Sequence, residues 1–170
     1  MRKRLSLFFM LLSLLLVPAL AGAIEVGKPA PGFTIKALDG RAVSLADFRG
    51  QVVVLKLATT WCPTCAQLSR ELAAAGDFLR EKNVALVEVF LQDTPEMVAR
   101  YFEGKSFAMP HHVLLDDDMQ AYRGYGIYLI PRLLVVDREQ KVRYDNGPGA
   151  AIPTAEQIVK AVEGALGERP

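Results

Sequence analysis

The sequence predicts an α/β domain: a central sheet with helices on both faces and a short N-terminal β-hairpin. Three observations carry this. Two apolar, β-branched runs without alternation, residues 52–58 and 84–91, suit strands covered on both faces. Other segments place apolar residues at three- and four-residue steps, the period of a helix with one buried face. These two kinds of segment alternate through 170 residues, a length for one domain, with 51% apolar residues to fill its core.

In chain order, residues 1–23 read as an export signal. Arg2, Lys3 and Arg4 form a charged start, residues 5–17 are nearly all apolar, and Pro18 breaks the run. Small residues then offer cleavage after Ala21 or Ala23. The alternative is an uncleaved membrane anchor, since residues 5–24 are just long enough to span a bilayer. Residues 24–170 form the predicted domain. Its Pro- and Gly-rich entry, 25–32, reads as extended. Two short strands, 33–37 and 41–44, flank Asp39-Gly40, where glycine accepts the positive φ of a tight turn. Residues 45–48 make one helical turn. The strand at 52–58 leads through Trp61 to a helix reaching about Lys82, with Leu68, Leu72, Ala75 and Leu79 on one face. After the strand at 84–91, Thr94 caps a helix that starts at Pro95 and fades near Gly104. A short strand at 113–115, a short helix at 118–122, strands at 133–136 and 142–144, and an amphipathic helix at 154–166 complete the chain. Asp116-Asp117-Asp118 lacks the spacing of a calcium loop and is read as ending a strand and capping the short helix.

Without the three charges of the signal, 20 basic residues become 17 against 19 acidic ones. No basic block remains, which argues against nucleic acid as a partner and leaves the membrane only through an uncleaved signal. The chain has two cysteines, Cys62 and Cys65. Disulfides that stabilise a secreted domain are more numerous and more widely spaced, and so short a loop removes little entropy from the unfolded chain. This pair points to chemistry. A cysteine at a helix N-terminus and another three residues on lie on one side of the first turn, where their sulfurs can bond. The first faces unpaired N–H groups and the positive end of the helix dipole, both favouring thiolate. Pro63 suits the first helical position, where no N–H is needed. Cys62 is thus the expected attacking thiol and Cys65 the resolving one, with no cofactor and no metal required.

These residues, together with Phe33-Thr34-Ile35-Lys36-Ala37-Leu38-Asp39-Gly40-Arg41, Val43-Ser44-Leu45-Ala46-Asp47-Phe48-Arg49-Gly50, Trp61 before the first cysteine and Ile130-Pro131 before a strand ending in Asp137, carry a resemblance. From about Phe33 to the last helix the chain resembles the thioredoxin superfamily, in particular its exported TlpA/ResA-like, redoxin-type branch. The resemblance implies a thioredoxin-like three-layer sandwich, with a central mixed sheet and an inserted helix around Thr94 to Gly104, and a protein disulfide oxidoreductase that reduces disulfides. It also implies a cis Pro131 packed against the disulfide, with the Ile130 backbone free to pair with a client. The implied partners are exported proteins with disulfides or thiols, including apocytochrome c, and a membrane thiol electron donor. The implied location is periplasmic or otherwise exported. Trp61 is read as a rim aromatic that touches clients, or else as a boundary core residue.

The chain departs from that family at three positions. Lys56, six before Cys62, stands where thioredoxins carry a buried acid. As a cation it would lower nearby thiol pKa values, and Lys56→Met is expected to raise that of Cys62; neutral, it could act as a base. Its stem could instead pack while the amine reaches water. Thr64 replaces a proline common in that branch. Leu68 stands where some reductants carry glutamate, so the redox direction stays open. Two other readings compete. A peroxiredoxin-like peroxidase would use Thr59, three before Cys62, but lacks that family's proline before the threonine, with Leu55 in its place. A Sco-like copper chaperone would add His111 or His112 to the two thiolates; that histidine pair, after Met109-Pro110, reads as a loop.

Overall fold

The computed structural model describes residues 24–105 and 109–167. The export signal expected at residues 1–23 lies outside them. Seven strands form one sheet: β1 (Thr34–Ala37), β2 (Ala42–Ser44), β3 (Val53–Ala58), β4 (Ala85–Phe90), β5 (His111–Leu115), β6 (Arg132–Val136) and β7 (Val142–Asp145). Their order across the sheet is β2-β1-β5-β4-β3-β6-β7. β3, β4 and β5 run parallel, and every other pairing is antiparallel. The helices are α1 (Pro63–Ala74), α2 (Gly76–Glu81), α3 (Pro95–Phe102), α4 (Gln120–Gly124) and α5 (Ala155–Leu166), with a 3-10 turn at Leu45–Phe48.

Burial explains the arrangement. β3, β4 and β6 are buried at every position, so both of their faces must be covered. On one face Val54, Leu86, Leu133 and Val135 meet Leu68 and Leu72 of α1, Leu79 of α2, and Ile158 and Val162 of α5. On the other, Leu55, Leu57, Val87, Val89 and Leu134 meet Leu45 and Phe48 of the 3-10 turn and Ala121 of α4. A satellite cluster of Phe90, Val98 and Leu115, with Tyr101 and Phe102, seats α3 by the C-terminal ends of β4 and β5. This is the three-layer sandwich that the resemblance implies, with its N-terminal hairpin β1–β2 added beside β5.

Two elements differ from the sequence reading. The helix expected to run to Lys82 is broken at Ala75, where ψ is −4°. Gly76, a weak helix former, opens α2, and a Cβ there would meet Met109 Cε at 3.2 Å. The strand expected at 113–115 starts at His111, because His111 and His112 pair with Leu86 and Val87 of β4. The histidine pair is therefore strand, not loop. Thr94 caps α3 as read, and Thr154, read only as the first residue of a helix, caps α5. Thr94 and Thr154 accept the N–H of Met97 and Gln157, and Asp116 accepts those of Ala121 and Tyr122 at the start of α4.

Candidate active site

Beyond β3 the chain turns through Thr59, Thr60 and Trp61. Asp93, buried just after β4, fastens this turn. One carboxylate oxygen accepts the Thr60 N–H at 3.0 Å and the other the Thr60 hydroxyl at 2.6 Å. Cys62 is thereby set as the N-cap of α1, in extended conformation, with Pro63 at the first helical position. Its sulfur accepts the N–H of Cys65 at 3.1 Å and lies 3.2 Å from Thr64 Oγ1. Both cysteines are free thiols, and they pack with Ala58 and Ile130.

The two thiols are electrostatically unlike. Burial pushes Cys62 up, but hydrogen bonds from Cys65 and Thr64 outweigh it and hold its pKa below the ordinary thiol value. Cys65 is only 1% exposed. Burial, then its contact with Cys62, push its pKa up to about 12, against the lowering effects of the Thr59 backbone and the Lys56 charge. A sulfur at the helix cap biased toward thiolate, beside a more deeply buried one biased toward thiol, can attack in one order and resolve in the other.

Lys56 is 0% exposed, so its amine does not reach water. Its Nζ donates to Glu88 Oε2 at 2.6 Å and to Ser69 Oγ at 2.7 Å. Glu88 lies opposite Lys56 in the β3–β4 register, and its second oxygen is 3.2 Å from His111 Nε2. Burial raises the Glu88 pKa, but Lys56 and His111 outweigh it and hold the carboxyl below its usual range. The Lys56 charge lowers the Cys65 pKa. An effect of Lys56→Met is therefore expected at Cys65 as well as at Cys62.

Glu88, Ser69 and Asp93 escaped the sequence reading. A signal for Glu88 existed, since 53–58 and 85–90 are buried strands that each hold a single charge of opposite sign. Ser69 follows Cys65 by one helical turn, which is the spacing of facing side chains.

Around the cysteines lies an apolar rim. The Ile130-Pro131 peptide is cis, and Ile130 packs against the cysteine cluster. Trp61 is 60% exposed, Tyr128 80%, and Leu129 is exposed beside it. Trp61, Tyr128 and Ile130 line a cleft of about 210 Å³ with Thr59, Tyr122 and Ile127. The features called on by the competing readings are engaged elsewhere or idle. Thr59 Oγ1 is buried without a hydrogen-bond partner. His111 serves Glu88, and His112 packs edge-on against Phe48. Among the described residues no three of His, Cys, Asp and Glu gather as metal ligands do.

Comparison with known proteins agrees with this arrangement. The AhpC/TSA family model matches residues 26–145. Thiol-disulfide oxidoreductase ResA of Bacillus thuringiensis subsp. konkukian is 27% identical over 70% of this chain and 68% of its own. Thiol:disulfide interchange protein DsbE of Allochromatium vinosum is 33% identical over 85% of this chain and 80% of its own. The solved thioredoxin domain of a Bacteroides vulgatus thiol-disulfide oxidoreductase superposes with a TM-score of 0.69 at 22% identity, covering 84% of this chain and 98% of that one, a likeness of fold. The cysteine pair at the head of α1, the mixed sheet beneath it and these relatives together place the chain: it belongs to the AhpC/TSA family, as a thioredoxin-fold thiol–disulfide oxidoreductase of the ResA/DsbE type.

Proposed function

We propose that the mature domain, residues 24–170, reduces disulfides in exported proteins on the outer side of the cytoplasmic membrane, after cleavage of a signal at residues 1–23. Cys62 attacks the client disulfide and Cys65 resolves the mixed disulfide, so the dithiol leaves as a disulfide and the client as two thiols. A membrane thiol carrier returns the electrons. Apocytochrome c thiols are the favoured client class, in keeping with the resemblance to the ResA and DsbE branch. Among the described residues no helix is long and apolar enough to cross a membrane. The observation that carries the reading is the inequality of the two thiols: Cys62 Sγ is the cap of α1, while Cys65 is buried with its pKa pushed up. Trp61, Tyr128 and Ile130 offer clients an apolar seat beside Cys62, with the Ile130 backbone preceding Pro131 as their pairing edge.

The test is the reduction potential of Cys62/Cys65 in the mature protein, equilibrated with dithiothreitol or glutathione and read by Trp61 fluorescence and thiol alkylation. A value near −270 mV, as in thioredoxin, is expected of a reductase. A value near −120 mV would make the protein an oxidant of newly exported chains and overturn the proposed direction.

A further inference from the structure

We infer that His111, Glu88 and Lys56 form a positioning chain that holds a cation beneath Cys65, and that this chain sets the rate at which Cys65 resolves a mixed disulfide on Cys62. The inference rests on the order of attack proposed above.

The chain crosses three adjacent strands. His111 of β5 meets Glu88 Oε1, and because an ionised carboxylate only accepts, the imidazole donates. Glu88 of β4 binds Lys56 of β3 through its other oxygen. Lys56 donates to Ser69 Oγ of α1, and Ser69 in turn donates to the Cys65 carbonyl at 3.2 Å. Since Ser69 is one turn along α1 from Cys65, the ammonium lies under the first turns of the helix that carries both sulfurs. Tyr101 of α3 closes the site, its hydroxyl 3.1 Å from Ser69 Oγ, and the Lys105 ammonium stacks on the outside of its ring. His112 faces the opposite side of the sheet, against Phe48.

Cys65 has almost no contact with water, so its thiolate depends on charge supplied by the protein. Lys56 is the cation that bears on it. A buried ammonium is costly without a counter-charge, and it is its positive charge that favours a nearby thiolate. Glu88 therefore acts through Lys56 by keeping it charged, and His111 acts through Glu88 by filling its second oxygen. In the step concerned, the Cys65 thiol first loses its proton to solvent. The thiolate attacks Cys62 Sγ, the Cys62–Cys65 bond forms, and the bond from Cys62 to the client sulfur breaks. The client sulfur leaves with the bonding pair and takes a proton from water, so two electrons pass from the dithiol to the client.

Ellman's reagent separates the steps. Mixed with the reduced mature protein in a stopped-flow cell, it releases one thionitrobenzoate when Cys62 attacks, at a rate that depends on reagent concentration. A second release follows when Cys65 resolves, at a rate that does not. Followed from pH 6 to 10, the second phase reads Cys65 ionisation. Lys56→Met and Glu88→Gln should each slow it about tenfold, the effect of one pKa unit on thiolate, while the first phase persists, and His111→Phe should slow it less. The double variant Lys56→Met/Glu88→Leu replaces the ion pair by an apolar pair that can pack in the same space. It should fold and be as slow as Lys56→Met, but no slower. An unchanged second phase in a folded variant, a faster one in Glu88→Gln, or slowing that multiplies in the double variant would overturn the inference alone. A wild-type protein without a second release would remove Cys65 as the resolving thiol, and the inference with it.

Discussion

The Thr64 hydroxyl adds a second contact to a sulfur that already accepts the Cys65 N–H. One hydrogen bond contributes about 1 kcal/mol, so Thr64→Val should slow alkylation of Cys62 at neutral pH roughly fivefold. Iodoacetamide kinetics across pH would show this as a shift of the whole profile toward higher pH. Cys65 makes the opposite prediction for stability. Its pKa is raised from 9.0 to about 12, so between those values an unfolded chain sheds the proton and the folded one keeps it. The reduced protein should therefore lose stability as pH rises from 9 toward 12, and urea denaturation of Cys65→Ala should show a shallower decline. The cysteines and Pro63 were legible because each carries its meaning in local spacing, and Pro131 through the family resemblance. Glu88 and Ser69 were not, since their partner Lys56 is reached only through strand register and helix packing, 32 and 13 residues away in sequence.

The turn between β3 and α1 and the segment after β4 are separate elements joined by one carboxylate. Asp93 accepts both the N–H and the hydroxyl of Thr60, and so fixes where α1 begins. Asp93→Ala should lower stability by about 1–3 kcal/mol, the cost of leaving buried donors unmet, and should also slow the attack of Cys62, because its cap geometry loosens. Denaturant melts and the first phase of thionitrobenzoate release check the two halves of this expectation. At this scale the sequence was read well where a cap announces an element, as Thr94 and Pro95 do for α3. It was read less well where packing overrides pattern. Apolar spacing runs on through Ala75 toward Leu79, yet the helix breaks so that Leu79 can turn into the core with Met109. His111 and His112 are weak strand formers by composition and are strand only because β4 offers them partners.

Across the whole molecule, β1 and β2 cover the edge that β5 would otherwise expose, and Phe33, Ile35, Val43, Leu45 and Phe48 complete one side of the core. A chain beginning at residue 51 should therefore lose cooperative unfolding and associate through the bared strand, which scattering and thermal melts would report. Alternation of strand and helix predicted the layers, because each buried run needs cover on both faces. The order β2-β1-β5-β4-β3-β6-β7 was not predictable in that way, since it depends on pairings between distant segments. One such pairing sets Lys56 against Glu88. Removing either partner alone strands a charge in the core, at about 3–5 kcal/mol, whereas exchanging both for apolar residues is close to neutral. The two codons are far apart in the gene, yet a lineage can leave this arrangement safely only by changing both. Lysine at the first position and glutamate at the second should accordingly be inherited together and lost together, so that an alignment of descendants would show two columns changing in step.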